Sequence, residues 1–370
     1  MRIGFFGSRG IPACYSGFET FVEQLAVRLV QRGHAVTVYN RVPFNPYREK
    51  EYRGVRIVHL PTLRTKATDT IVHTALSVLH SLGCRYDIAY FCGVGNALLS
   101  LLPRVRGQKT ALNVDGADFA REKWSGLARW WLHRSESWAA RLGNVVIADN
   151  GAIQRRYRDL YGIESRLIPY GANVVTDDPG ADFLARYGLR SKEYFLYVSR
   201  LTPENAADLA IEAHFQSQVA LPLVVVGDAP YQAEYIARLK GLAARSSRVH
   251  LTGYLFGRAY QQISYHARAF ILPTAIDATR PVLLDQMGFG NCVIVRNTPG
   301  NIEVIADAGL SFEHENPVAS LAAVLRRVVE RPEWAAQCGR RAQERVARFY
   351  DWEVITSRYE ALFSELTGSR

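Results

Sequence analysis

The stretch "PTAIDATRPVLLDQMGFGNCVIV", from Pro273 to Val295, sets two carboxylates, Asp277 and Asp285, eight residues apart around an apolar turn. Two such acids could handle a ligand. They could equally be the polar ends of a loop and of a helix begun by Pro281, whose N-terminal dipole favours negative charge. A third candidate is Arg200 in "VSRLTPENAADLAIEA". It follows a strand-like run, where a guanidinium fork suits a diphosphate; the plain alternative is a surface arginine. "VDGADFAREKW" places Asp115 and Asp118 just after another such run. Mg²⁺ is commonly held by one or two carboxylates plus substrate phosphate, and no His or Cys stands near to suggest Zn²⁺. Finally, Gly7, Gly10 and Gly17 in "GSRGIPACYSGFE" would let backbone N–H groups approach a phosphate at a helix N-terminus. Arg9 breaks the GxGxxG fingerprint, and no acid follows the next strand as that motif requires. An ordinary turn that needs glycine for its geometry is the alternative.

The elements that must position these residues are legible as periodicity. "RIGFFG" is an apolar run ending in glycine. Phe18, Phe21, Val22, Leu25, Ala26 and Leu29 then recur at helical spacing up to Gly33, and "AVTVYN" follows as a strand. Strand-like runs recur at 55–60, 87–92, 110–114, 145–149 and 166–171, and a second series runs at 194–199, 221–227, 248–253, 268–273 and 292–295. They are continuous apolar runs, as expected of parallel sheets covered by helices on both faces. The reading is α/β: two doubly wound, Rossmann-like domains in tandem, with a linker near the polar 170–182. Ligands of such sheets bind outside the carboxyl ends of the strands, so each strand-to-helix loop is a candidate site.

Composition narrows the partners. The 370-residue chain is 48% hydrophobic and 22% charged, which is globular. No run approaches the ~18–20 apolar residues of a membrane span. The longest, "ALLSLLP" at 97–103, is short, and Met1–Arg2 leads into a strand rather than a signal peptide. The five cysteines show no CxxC spacing and read as reduced core thiols in a cytoplasmic protein. The net charge is +10, and residues 1–180 hold 24 Lys/Arg against 15 Asp/Glu. A basic first half attracts nucleic acid, anionic headgroups or a diphosphate. Dispersed arginines without a recognition motif argue against nucleic acid. "SGLARWWLHRSESWAARLG" (125–143) mixes Trp, Leu and Arg either as an interfacial helix or as a buried helix with a basic edge.

Four segments together carry a resemblance: "RGIPACYSGFETFVEQLAVRLVQRGHAVTVY", "DGADFAREKW", "SRLTPENAADLAIEA" and "RPVLLDQMGFGNCVIVRNTPGNIEVIADAGL". In this order they resemble family-four glycosyltransferases of the GT-B fold, most closely the subgroup with a rhamnosyltransferase-type N-terminal domain. The similarity covers nearly the whole chain, through "FYDWEVITSRYEALF". It implies an acceptor-side domain over 1–172, a nucleotide-sugar-binding domain over 173–348 facing it across a cleft, and a helix over 349–370 returning to the first domain.

The roles below are what the resemblance implies. Gly17 faces the donor diphosphate and the acceptor, with Glu19 and Asp118 on the acceptor side. Arg200 binds the diphosphate. Asn205 replaces a customary lysine and removes one positive charge, which Arg280 would restore. Asp277 and Asp285 occupy the positions of a two-glutamate signature, the first near the transferred sugar and the second on the ribose. Asp115 stands where many relatives have histidine and takes a positioning role at the catalytic centre, with acceptor activation as the alternative. Transfer would retain anomeric configuration with no obligatory metal; dTDP-rhamnose is the implied donor, with UDP- or GDP-hexose as alternatives. The acceptor would be a lipid-linked saccharide at the inner face of the cell membrane. Because three signature positions read Asp, Asn and Asp, a catalytically inactive nucleotide-sugar-binding protein is the competing reading.

Overall fold

The computed structural model describes residues 1–14, 17–63, 68–114, 126–276 and 279–368. The chain divides into two compact units. The first comprises Met1–Gly171 with Trp352–Arg370, and the second Ala172–Asp351.

The first unit runs β1 (Arg2–Phe6), α1 (Gly17–Gln31), β2 (Ala35–Arg41), β3 (Glu51–Tyr52), β4 (Val55–Leu60), α2 (Asp69–Ser81) and β5 (Ile88–Cys92). After a 3₁₀ segment (Val94–Ser100) come α3 (Leu101–Val105), β6 (Lys109–Val114), α4 (Gly126–Leu142), β7 (Val145–Ala148), α5 (Gly151–Tyr161) and β8 (Arg166–Leu167). The sheet order is β3-β4-β2-β1-β5-β6-β7-β8, parallel except for the β3–β4 pair. β1 lies between β2 and β5, so the strand order reverses there. Every residue of β5 and the last four of β1 are buried, as a strand covered on both faces must be.

The second unit runs α6 (Asp182–Ala185), β9 (Phe195–Val198), α7 (Ala207–Ser217), β10 (Leu223–Val226), α8 (Ala233–Ala243), β11 (Val249–Gly253), α9 (Gly257–Tyr265), β12 (Ala269–Leu272), α10 (Pro281–Gly288), β13 (Cys292–Arg296), α11 (Pro299–Ile305), β14 (Leu310–Phe312), α12 (Pro317–Glu330) and α13 (Pro332–Phe349). Its sheet is wholly parallel, in the order β11-β10-β9-β12-β13-β14. The reversal falls between β9 and β12, the strands that carry Arg200 and Arg280 at their carboxyl ends.

Three expectations need correction. The segment 170–182 is not a free linker. The Ala172 N–H donates to the Tyr350 carbonyl (2.8 Å), the Val175 N–H to Gly288 (3.0 Å), and Gln343 Nε2 to the Val175 carbonyl (2.9 Å). Its backbone groups find partners within the second unit, so local polarity misleads. The helix expected from Pro203 begins at Ala207; a 3₁₀ turn over Pro203–Asn205 precedes it, and Ala206 takes the left-handed conformation at φ +53°. Among the cysteines, Cys14 is exposed, because it lies in the glycine loop rather than on an element; Cys92, Cys292 and Cys338 are buried thiols.

The last helix, α14 (Trp352–Thr367), belongs to the first unit and packs on α1. Arg28 and Arg32 reach Glu353 at 2.9 and 2.7 Å, and Arg32 reaches Glu360 at 3.0 Å. Beneath these pairs Phe21, Tyr90, Tyr359 and Phe363 form an aromatic cluster, with Tyr90 and Tyr359 hydroxyls 3.2 Å apart. The buried aromatic area holds the helix; the exposed ion pairs add little.

Candidate functional site

In the first unit, the β1–α1 loop is built against the end of β2. Asn40 Oδ1 accepts from the Ile11 N–H (3.0 Å), and its Nδ2 donates to the Ile11 carbonyl (2.7 Å). The Arg41 N–H donates to the Arg9 carbonyl (3.1 Å), and Arg41 Nη2 to the Gly7 carbonyl (2.6 Å). Arg41 Nη1 meets Asp69 Oδ2 at 3.0 Å, with 3% and 9% of the two side chains exposed. Burial lowers the arginine's pKa, and the Asp69 charge opposes that shift. Gly10 sits at φ +106°, and a Cβ there would stand 2.0 Å from Asn40 Oδ1. This grip has one readable trace: Asn40–Arg41 ends the second strand, where a dinucleotide fingerprint would place an acid.

Gly17 is the first residue of α1, so the loop does deliver a helix N-terminus. Glu19, in the first turn, is 3% exposed and therefore buried rather than presented to solvent. Asp115, Asp118 and Asp277 lie outside the described residues.

In the second unit, Arg200 and Arg280 lie in the loops that follow β9 and β12, on either side of the switch point, with Asn205 and Asp285 further along the same segments. Arg200 follows β9 and is half-buried. Only its backbone carbonyl is engaged, accepting from the Thr202 N–H (2.9 Å) and Asn205 Nδ2 (2.9 Å); among the described residues its guanidinium makes no hydrogen bond or ion pair. Asn205 is buried, and its amide also donates to Thr202 Oγ1 (3.0 Å). Its side chain shapes the Arg200 loop. The Tyr197 hydroxyl fixes the same loop through the Asn205 carbonyl (3.0 Å).

Across the switch point, Thr274 Oγ1 donates to the Glu204 carbonyl (2.9 Å) and lies 3.5 Å from Arg280 Nη2. Arg280 precedes Pro281 at the N-terminus of α10. Sequence reading missed Thr274, which joins the two arginine-bearing loops. Gly227, after β10, was also missed. The Ser199 N–H donates to the Val226 carbonyl (3.1 Å) and the Leu201 N–H to Asp228 (3.3 Å). The loop is thus clipped on either side of Gly227.

Asp285 lies on α10 beyond its first turn, so the helix dipole does not account for it. Tyr260 on α9 donates to its Oδ2 (3.4 Å), and Gln286 Nε2 donates to Tyr260 (3.3 Å) and to Ser264 (2.9 Å). Part of the residue's surface reaches solvent, yet the carboxyl is hemmed in by protein. Burial pushes its pKa up to about 7, and the Tyr260 hydrogen bond opposes the shift. A raised folded-state pKa gives stability that is complete below the unfolded value near 3.8 and is lost as pH rises through about 7. Asp285→Asn removes that loss. Its melting temperature is expected to match the wild type near pH 3.5 and to exceed it by a margin that widens to a few degrees at pH 8. A gap that does not widen with pH would show that the carboxyl ionises freely.

The comparisons with known proteins follow the same division. Residues 2–173 match a family model described as a domain of unknown function (DUF1972), and residues 192–331 match "Glycosyl transferases group 1". Over residues 192–331 the second unit is therefore similar to group 1 glycosyl transferases. The chain is 25% identical over 244 residues to a glycogen synthase of Mycobacterium tuberculosis, covering 63% of this chain and 57% of that protein. It thus spans little more than half the length of that relative. Sucrose-phosphate synthase of Thermosynechococcus elongatus superposes with a TM-score of 0.82 at 20% identity, covering all of both chains. HepE of Anabaena, solved in complex with UDP-glucose, does so with 0.81 at 17% identity over 99% of this chain and 100% of that one. At those identities the likeness establishes the fold, which is GT-B. The rhamnosyltransferase subgroup does not appear among these matches.

Proposed function

We propose that the chain transfers a sugar, rhamnose, from a nucleotide diphosphate donor, dTDP-rhamnose, to a lipid-linked saccharide at an anionic membrane face. The observation that carries the donor half is the Arg200 guanidinium, which has no hydrogen bond or ion pair among the described residues, at the switch point of the second unit. With Arg280 and the N-terminus of α10, it offers fixed positive charge where a diphosphate departs. Asp285 accepts from the ribose hydroxyls. Those bonds favour the carboxylate, so donor affinity rises with pH through the range where the acid ionises. The bond from the sugar's anomeric carbon to the diphosphate oxygen breaks. The new bond to the acceptor oxygen forms on the same face, and the acceptor proton passes to the departing phosphate. Asp115 and Asp277 take the sugar-side positions in this reading, and no metal is required. The basic first 180 residues suit an acceptor held at anionic headgroups.

HepE in complex with UDP-glucose supports the wider donor class, a nucleoside diphosphate hexose. The test is a thermal-shift titration with dTDP, UDP, GDP and ADP. A nucleotide that binds only the folded state raises the melting temperature. A shift with dTDP supports the reading, and a shift only with UDP or GDP replaces the donor. No shift in folded protein overturns the enzyme and favours an inactive relative. Arg280→Ala is expected to remove the shift. An unchanged shift would show that Arg280 does not replace the missing lysine charge.

A further inference from the structure

The apolar run at 97–103 is arranged inside out. Ala97, Ser100 and Pro103 are buried, whereas Leu98, Leu101, Leu102 and Val105 are 39, 40, 46 and 75% exposed. Their spacing, i, i+3, i+4 and i+7, is one helical face. A short helix that buries its small residues and presents its large aliphatic ones has left a contiguous apolar strip on the surface, which marks an interaction site.

Along the strip's own stretch of chain the charge has one sign. Residues 93–114 contain no Asp or Glu, and Arg104, Arg106 and Lys109 are exposed. α4 lies alongside, since Arg104 Nη1 donates to the Leu142 carbonyl (2.8 Å) and Trp131 Nε1 to the Gly95 carbonyl (3.2 Å). On α4, Trp130 (53% exposed), Arg134 and Arg141 fall on one outward face. The one acid of α4, Glu136, is buried and paired with Arg156 at 2.9 Å. Among the described residues, no helix is long and apolar enough to cross a membrane.

We propose that the 3₁₀–α3 strip, with the adjoining face of α4, docks on an anionic bilayer surface. The four aliphatic side chains enter the headgroup–acyl boundary, and the arginines, Lys109 and Trp130 lie at headgroup level. A surface for a second protein would need acidic groups facing these cations, whereas a bilayer supplies both the apolar layer and the negative charge. The inference deepens the lipid-linked acceptor reading and rests on it for its purpose. Its test is independent of the donor.

The test is co-sedimentation of the full chain with vesicles of phosphatidylcholine alone and of phosphatidylcholine doped with phosphatidylglycerol. The wild type should bind the anionic vesicles, less at high salt. The combined variant Leu101→Gln, Leu102→Gln, Val105→Gln should bind about tenfold more weakly. Its substitutions are on the surface, so its melting temperature and its nucleotide-induced shift should match the wild type. Wild-type protein that ignores anionic vesicles, or a triple variant that binds them undiminished, overturns the proposal. So does a lipid-free wild-type dimer that the triple variant converts to monomer, because the strip would then cover a second copy. Vesicle binding without any nucleotide shift would leave this proposal standing and remove the donor reading.

Discussion

Gly227→Ala is expected to lower the stability of the second unit by about 3 kcal/mol or more, and to remove nucleotide binding from whatever protein stays folded. Gly227 holds φ at +139°, and an added Cβ would stand 1.8 Å from the Ser199 carbonyl oxygen. Neither atom can yield cheaply. The Gly227 N–H is bonded to the Gly253 carbonyl (2.9 Å), and the Ser199–Leu201 backbone is clipped to residues 226 and 228. A side chain would be strained by the dihedral and would also push the loop away, taking Arg200 with it. The measurement is the urea midpoint, with a nucleotide titration on the folded fraction. A midpoint within experimental error of the wild type would mean that the β9 and β10 loops are not in contact as described.

Arg200→Ala is expected to do the opposite: leave the fold intact and remove the ligand. The loop keeps its shape through the Arg200 carbonyl, which the substitution preserves, so the melting temperature of the nucleotide-free protein should be unchanged. Losing a charge-assisted pair to phosphate costs about 1.5–3 kcal/mol, or roughly 10–100-fold in donor affinity. Arg200→Lys should recover only part of this, because an ammonium restores the charge without the fork. Calorimetric titration of the three proteins with the active nucleotide decides it. Equal affinities would move the diphosphate site away from the carboxyl end of β9. Together the two variants separate the residue that binds from the residue that positions it.

Residue order carries whatever depends on near neighbours. Continuous apolar runs, a 3.6-residue repeat from Phe18 to Leu29 and glycines after strands announce tandem parallel α/β units, because burial on both faces and helical spacing are written in consecutive residues. Arg200, a candidate just past a strand-like run, was found by the same rule. The remainder depends on which strand lies beside which, so it follows from long-range pairing. Arg41 reaches Gly7 because β2 pairs with β1, and Thr274 reaches Glu204 because β12 pairs with β9. The polar composition of 170–182 suggested a linker, but partners distant in sequence gave its backbone a docked conformation. The same holds for "ALLSLLP". Its composition says buried, yet the packing of Ala97, Ser100 and Pro103 left Leu98, Leu101 and Leu102 outward. Hydrophobicity records a residue's preference for leaving water, but the neighbouring elements decide which face of a helix has somewhere to go.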